Sequence, residues 1–143
     1  MIQSVLVGTD GSERAERAVN TAVDVAKGQG AKLLLAAAFR DEDTHWESIA
    51  SSAKVGSGNL REAAEQVLMR SARHAEERGV EVDWEARGGH PADVLLDIAG
   101  SRGVDLIVVG NKGMSGARRY LLGGVADKVS HHAPCSVMIV RTE

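Results

Sequence analysis

The chain has 143 residues and a formal net charge of −3, and its aromatic side chains are two tryptophans, one tyrosine and one phenylalanine. Few aromatic rings and a slightly acidic balance argue against a nucleic-acid-binding surface, because such surfaces combine positive charge with stacking side chains. The only cysteine, Cys135, cannot form an intramolecular disulfide, and no apolar run approaches about 20 residues, so we expect a cytoplasmic protein with no membrane partner.

The chain begins with a short apolar strand followed by an amphipathic helix. An apolar run over residues 2–7 predicts the strand, and the turn residues Gly8–Ser12 end it. Ser12 is suited to cap the next helix, in which apolar residues recur at helical spacing. Gly28 and Gly30 predict the end of that helix.

A second strand and a second helix follow, separated by a long polar segment. The run over residues 33–39 is apolar throughout, which predicts a strand buried on both faces. Residues 40–57 are polar and show no periodicity, so we expect a loop there, either mobile or functional. Apolar positions at helical spacing then run from Leu60 to a stop near Gly79.

The remaining elements continue the alternation of strands and helices. Apolar and charged residues alternate over residues 80–87, which predicts a half-exposed strand at a sheet edge. Pro91 suits the first turn of a helix. Further apolar segments predict a strand over residues 104–109, a helix over 122–129 and a strand over 137–140.

This alternation predicts a single α/β domain over residues 1–143, a doubly wound five-stranded parallel sheet with helices on both faces. Glycine-rich loops follow the first strand, at Gly8–Ser12, and the fourth, at Gly110–Gly116. If these strands are neighbours, the loops flank one crevice at the carboxyl end of the sheet, and the strand order is 3-2-1-4-5. The last strand, Val137–Val140, is then an apolar edge, which favours a homodimer through that strand; flanking helices could instead cover it.

The loop after the fourth strand carries glycines at both of its ends. Gly110, Gly113 and Gly123 are spaced so that backbone N–H groups could approach one anion, and a helix follows. Glycines are also common in turns that bind no ligand, so the pattern is compatible with either phosphate binding or turn formation.

Charged residues beside these loops have two interpretations each. Lys112, Arg118 and Arg119 could pair with phosphates or be solvated surface charges. Asp10 could hydrogen-bond a base or a ribose, or hold a metal ion, or simply form a turn or cap.

Other sites have little support in the sequence. No Walker G-x-x-x-x-G-K-[ST] run and no G-x-G-x-x-G after the first strand occur. His131, His132 and His90 suit helix ends and turns, and Cys135 suits a core position. No spacing indicates a catalytic triad, a carboxylate pair or a metal site, so we predict a protein without enzymatic activity.

Five segments together resemble the universal stress protein family, of the small single-domain kind. Val5–Ser12 is similar to the family's opening strand and loop, and Gly89–Pro91 to its third strand-to-helix turn. Val108–Gly113 and Leu121–Val125 resemble its G-x2-G-x9-G-[S/T] nucleotide motif, and Pro134–Val137 resembles its final strand entry.

The resemblance implies the same sheet order, dimers that meet through the last strand, and ATP binding, with AMP or cyclic AMP preferred by some relatives. It implies that Asp10 and Ala37 lie near the adenine. It also implies that Gly110, Gly113 and Gly123 offer N–H groups to the ribose and phosphates, with Val109 and Val125 lining the pocket. The full set of predicted nucleotide-binding residues is Gly8, Thr9, Asp10, Ala37, Val109, Gly110, Lys112, Gly113, Arg119, Gly123, Gly124 and Val125.

One position departs from the family pattern. Gly124 stands where the motif has Ser or Thr, which removes a hydroxyl and thus one phosphate hydrogen bond, worth about 0.5–1.5 kcal/mol if neutral. We therefore predict a protein that binds an adenine nucleotide and acts by binding, sensing or buffering. ATP, accompanied by Mg²⁺, is the first candidate ligand, but the sequence supports an adenine nucleotide in general more strongly than ATP in particular. The alternatives are a slow ATPase in which Asp10 holds magnesium, and a dimeric protein-interaction module with incidental nucleotide binding.

Overall fold

The computed structural model describes residues 1–41, 44–52, 59–111 and 122–142. Strands and helices alternate along most of the chain, as the sequence predicts. The strands are β1 Ser4–Gly8, β2 Lys32–Phe39, β3 Val82–Gly88, β4 Leu106–Gly110 and β5 Ser136–Val140. The helices are α1 Glu13–Gln29, α2 Thr44–Ser52, α3 Leu60–Glu77, α4 Pro91–Arg102 and α5 Gly124–His132.

The five strands form one parallel sheet in the order β3-β2-β1-β4-β5, which confirms the predicted order. β1 lies at the centre, with Val5 opposite Leu33 of β2 on one side and Leu106 of β4 on the other. The carboxyl ends of β1 and β4 are therefore neighbours. This is the point at which the winding of the sheet reverses, where ligands bind in folds of this kind.

Each face of the sheet is covered by its own apolar core. α1 and α3 pack on one face, together with alternate residues of β2 such as Leu33 and Leu35. α4 and α5 pack on the other face, with Leu34 of the same strand. The predicted double winding is thus confirmed, and the apolar run of β2 reflects burial on both faces.

Local signals set the ends of α1. The Ser12 Oγ accepts a hydrogen bond from the Ala15 N–H at 3.2 Å, as expected of an N-cap. Gly30 ends the helix in the left-handed region, with φ 64°, whereas Gly28 lies inside it.

The prediction of a loop over residues 40–57 was wrong for α2, Thr44–Ser52. Trp46 is only 1% exposed, and its Nε1 donates to the Ala38 carbonyl at 2.8 Å. Ala50, one turn further, is also buried. A short helix anchored by so few apolar side chains has too weak a period to detect in a polar sequence.

The two sheet edges differ in chemistry. β3 is an edge strand, as its alternating pattern predicts. β5 is the other edge, where Ile139 is 41% exposed although the strand is apolar. In the described part of the chain, no helix is both long enough and apolar enough to cross a membrane.

Candidate functional site

A cavity of about 230 Å³ lies at the carboxyl ends of β1 and β4. The loop after β1 forms one wall, the end of β4 forms another, and α4 closes the floor. This is the crevice that the strand order predicts. The cavity is lined by Gly8, Thr9, Asp10, Ser12, Arg14, Ala15, Ala18, Ala36, Ala38, Pro91, Val94, Leu95, Val108, Val109, Gly110, Val125 and Thr142.

The loop after β1 is shaped by hydrogen bonds between close neighbours in sequence, and two longer-range bonds tie its backbone to Ala36 of β2 and His45 of α2. The Thr9 Oγ1 accepts from the Gly11 N–H at 3.1 Å, and the Asp10 Oδ1 accepts from the Ser12 N–H at 2.9 Å. Gly11 has a φ of 82°, a backbone conformation that residues other than glycine rarely adopt. Asp10 therefore has the turn-forming role considered from the sequence, and it also lines the cavity.

The floor and the back of the cavity are apolar. Ala36 and Ala38 contribute from β2, and Val94 and Leu95 contribute from α4. A methyl group placed on Gly8 would lie 3.3 Å from the Leu95 Cδ2, so the small residue lets α4 approach β1 closely. The result is a surface suited to a flat, weakly polar group such as an aromatic base.

Ala37 lies apart from this lining. Its side chain belongs to the core beneath α1 and α3, on the opposite face of the sheet from Ala36. Successive side chains of a strand point to opposite faces, so its neighbours line the cavity instead. A strand apolar on both faces offers no alternation from which to choose between them.

The end of β4 is joined to the C-terminal residues by long-range contacts. A methyl group on Gly110 would lie 3.0 Å from the Thr142 Cγ2, so a larger residue there would require a shift. The Asn111 Oδ1 accepts from both the N–H and the Oγ1 of Thr142, at 3.1 and 3.2 Å. Close packing against Thr142 thus accounts for a glycine at position 110, in addition to any ligand.

The first turn of α5 borders the same cavity through Val125. Gly123 is the N-cap residue; it has no side chain to cap the helix, and its N–H donates to the Asn111 carbonyl at 3.1 Å. Gly124 is the first helical residue, and a methyl group on it would meet nothing within 4 Å. The first N–H groups of α5 have no intrahelical acceptor by virtue of their position.

The predicted site residues divide into three groups. Those that line the cavity are Gly8, Thr9, Asp10, Val109, Gly110 and Val125. Ala37, Gly123 and Gly124 are described but do not line it. Lys112, Gly113 and Arg119 lie outside the described residues, as does Arg118.

Sequence reasoning missed several residues of the lining. Ser12 and Arg14 face the cavity from the start of α1, and Pro91 from the start of α4. Thr142 is 1% exposed and lines it from the segment after β5. One signal could have found Thr142: parallel strands end at one edge of a sheet, so residues after β5 must lie near the loops after β1 and β4.

The remaining candidate residues lie outside the cavity lining. His90 is the N-cap residue of α4, without a side-chain cap hydrogen bond, and His131 lies in the last turn of α5, with its Nδ1 2.8 Å from the carbonyl of Asp127 one turn earlier. Burial raises the pKa of the Cys135 thiol, which disfavours the thiolate. No group of three or more His, Cys, Asp or Glu side chains among the described residues could hold a metal ion.

The chain is similar to known proteins over nearly its whole length. A sequence model of the universal stress protein family matches residues 1–141. The chain is 34% identical to the universal stress protein YxiE of Bacillus subtilis, over 99% of this chain and 100% of the relative. It is 38% identical to the universal stress protein Rv1636 of Mycobacterium tuberculosis, over 98% of this chain and 97% of the relative.

Among solved structures, one of a universal stress protein in complex with cAMP is similar, with a TM-score of 0.75 and 31% sequence identity. The match covers 99% of this chain and 98% of that chain. Both the fold and the sequence therefore agree over nearly the whole length. The chain belongs to the universal stress protein family.

Proposed function

We propose that this protein binds an adenine nucleotide in the cavity between β1 and β4 and acts by binding, sensing or buffering rather than by turnover. The observation that carries the proposal is the cavity itself, which lies at the switch point of the sheet. It combines an apolar floor with a helix N-terminus at its border.

The apolar part of the cavity fits the base. Ala36, Val94, Leu95 and Val109 offer a surface without charged atoms, on which a flat ring can be desolvated at low cost. Asp10 and Thr9 stand at the rim, where polar groups of a ribose or base could meet them.

The opposite side fits phosphates. The N–H groups of Gly124 and Val125 lie in the first turn of α5, and a helix N-terminus favours negative charge. Arg14, at the start of α1, adds a cationic side chain to the lining of the cavity. Lys112, Gly113 and Arg119, which the sequence predicts as further phosphate contacts, lie outside the described residues.

The size of the cavity supports binding of part of the ligand inside it. Small-molecule sites usually measure about 300–1,000 Å³, and this cavity measures about 230 Å³. We expect the base and sugar to occupy the cavity and the phosphates to lie at its mouth. The related protein solved in complex with cAMP supports an adenine nucleotide as the ligand.

The number of phosphates is the open part of the proposal. ATP is the first candidate, with AMP and cyclic AMP as rivals, because Gly124 lacks the hydroxyl that the family motif would direct at a phosphate. Mg²⁺ would accompany only ATP, since such sites use one or two carboxylates together with the substrate phosphates, and Asp10 lines the cavity.

Isothermal titration with ATP, AMP and cyclic AMP, with GTP as the control for the base, tests the proposal. We expect heat of binding with at least one adenine nucleotide and none with GTP. Mass spectrometry of protein purified without added ligand should find the same adenine nucleotide. Absence of binding by all three adenine nucleotides would contradict the proposal.

We also propose a homodimer through β5, in the cytoplasm. β5 is an apolar edge strand with Ile139 exposed, and an unpaired edge of that kind is a template for a second copy. Ile139→Lys should give a monomer in analytical ultracentrifugation. Met69→Lys is the control, because Met69 is an apolar side chain, 45% exposed on α3, away from β5; a dimer retained in Ile139→Lys would contradict this arrangement.

A further inference from the structure

We infer that Thr142 is a positioning residue of the nucleotide site: it holds Asn111, and through Asn111 the start of α5, in the geometry that meets the phosphates. The inference rests on the proposed nucleotide binding. It adds the C-terminal segment after β5 to the site, although that segment is far in sequence from both loops of the crevice.

Thr142 is held in place by hydrogen bonds involving each of its polar groups. Thr142 is 1% exposed, and its N–H and Oγ1 both donate to the Asn111 Oδ1. Its carbonyl accepts from the Arg17 Nη1 of α1 at 2.6 Å. The N–H, the hydroxyl and the carbonyl of this residue are therefore all in use.

The contact with Gly110 leaves Thr142 little freedom to move. Its Cγ2 occupies the space that a side chain on Gly110 would need. Thr142 is thus fixed from α1 by Arg17, from β4 by Gly110 and from the loop by Asn111. These contacts fix Thr142 in place as part of the cavity lining.

Asn111 transmits this position to α5. Its N–H donates to the Val140 carbonyl at 2.8 Å, and its own carbonyl accepts from the Gly123 N–H at 3.1 Å. Gly123 is the N-cap of α5, directly before the N–H groups of Gly124 and Val125. The Asn111 side chain accepts two hydrogen bonds from Thr142, and we infer that this contact, together with the bond to the Val140 carbonyl, fixes the direction of the backbone carbonyl that holds the helix start.

The experiment compares two variants of this contact with a control. Thr142→Val keeps the shape and the backbone bonds but removes the hydroxyl, whereas Asn111→Ala removes the acceptor of both Thr142 donors. Ser71→Ala removes another buried hydroxyl, one that is 4% exposed, donates to Glu16 Oε1 at 2.8 Å and does not line the cavity. All three are titrated with ATP, AMP and cyclic AMP well below their melting temperatures.

We expect Thr142→Val to weaken binding about threefold and Asn111→Ala about tenfold, because a misplaced helix start makes poorer phosphate contacts; one ligand hydrogen bond of about 0.5–1.5 kcal/mol corresponds to roughly two- to tenfold in affinity. Ser71→Ala should bind as the wild type does, despite a similar loss of thermal stability. Hydrogen exchange at the Gly123 amide should be faster in both site variants and unchanged in the control. Thr142→Ser, which retains the hydroxyl, should bind more tightly than Thr142→Val.

Two results overturn the inference alone. One is wild-type affinity in folded Thr142→Val, and the other is an affinity for Thr142→Ser no higher than that of Thr142→Val. If Asn111→Ala does not fold, Thr142→Val still decides the question. A wild-type protein that binds none of the three nucleotides would overturn the proposed function, and this inference with it.

Discussion

The two walls of the cavity are built in different ways. The side chains of the wall after β1 bond to residues two or three positions away, such as Asp10 to Ser12 and Ser12 to Ala15. Its backbone is also tied to β2, where the Thr9 N–H donates to the Ala36 carbonyl at 2.9 Å, and to α2, where the His45 Nε2 lies 2.6 Å from the Asp10 carbonyl. The wall after β4 is held by bonds that span the chain, such as Asn111 to Thr142 and Arg17 to Thr142. The first wall thus combines a locally bonded turn with anchors to β2 and α2, whereas these side-chain bonds of the second wall join segments that only the completed sheet brings together.

This difference has a consequence for substitutions. On the β1 wall, a change should act first through local backbone conformation, with packing against α3 added where a new side chain reaches it. On the β4 wall, it should act through the packing of distant segments. The following predictions test that distinction, from the largest expected effect to the smallest.

The largest effect is expected for Gly11→Ala on the β1 wall. Gly11 has φ 82°, and an alanine there costs about 1–2 kcal/mol in strain. The new methyl group would also lie 3.0 Å from the Val67 Cγ2. Val67 is buried in α3, where a β-branched side chain has one strongly preferred rotamer, so it cannot easily turn away.

Gly79→Ala is the matched control for this prediction. Gly79 also has φ 82°, but a methyl group on it meets nothing within 4 Å. Chemical denaturation of both variants separates the strain, which they share, from the contact with Val67. Equal losses of unfolding free energy would show that the contact with Val67 costs no stability and that the packing around Gly11 can accommodate a methyl group.

Gly110→Ala should be the next largest effect. Its methyl group would press on the Thr142 Cγ2 at 3.0 Å, and overpacking of this kind typically costs about 1–3 kcal/mol. The same change at Gly124 meets open space and should alter stability by less than about 0.5 kcal/mol. If both variants unfold at the wild-type denaturant concentration, Thr142 is not the reason for a glycine at position 110.

Asp10→Ala should have a smaller effect on stability. It removes the acceptor for the Ser12 N–H, one hydrogen bond worth about 0.5–1.5 kcal/mol. Asp10→Asn keeps an Oδ1 acceptor and removes only the charge, so it should retain most of the unfolding free energy. Nucleotide titration of the pair then separates the turn from the carboxylate, and equal stability of the two variants would contradict the turn role.

The smallest effect is expected for Gly124→Ser, and it is a gain. A serine fits the open space at the first position of α5 without change in the fold. Its hydroxyl would add one phosphate hydrogen bond, so binding should strengthen by about 0.5–1.5 kcal/mol, or roughly two- to tenfold. Gly124→Ala is the control without a hydroxyl, and equal affinities for the two variants would argue against a phosphate at this helix end.

Most of the fold could be predicted from the sequence because its signals are local. Ser12 as a helix cap and Pro91 as a helix start depend on neighbours only. The order of the strands followed from two glycine loops and from the alternating pattern of β3. α2 was missed because Trp46 anchors it through a hydrogen bond to the Ala38 carbonyl, and an anchor of this kind leaves no periodic pattern of apolar residues in the sequence.

The site was less accessible to sequence reasoning. Ala37 is on the other face of β2 from Ala36, and a strand that is apolar on both faces has no alternation from which to tell which residues face the cavity. The roles of Asn111 and Thr142 depend on a contact across 31 positions. Spacing within a motif cannot reveal a partner that only the closed sheet brings near.

Sequence alone determined the alternation of strands and helices, the order of the parallel sheet and the capped turn after β1, because turns, caps and apolar periods act over a few residues. Tertiary structure alone decided that Thr142 closes the cavity, that Gly110 has no room for a side chain, and that Asn111 holds the start of α5. These features arise only when the ends of β4 and β5 lie side by side, since parallel pairing then brings the segment after β5 to the same edge as the loops.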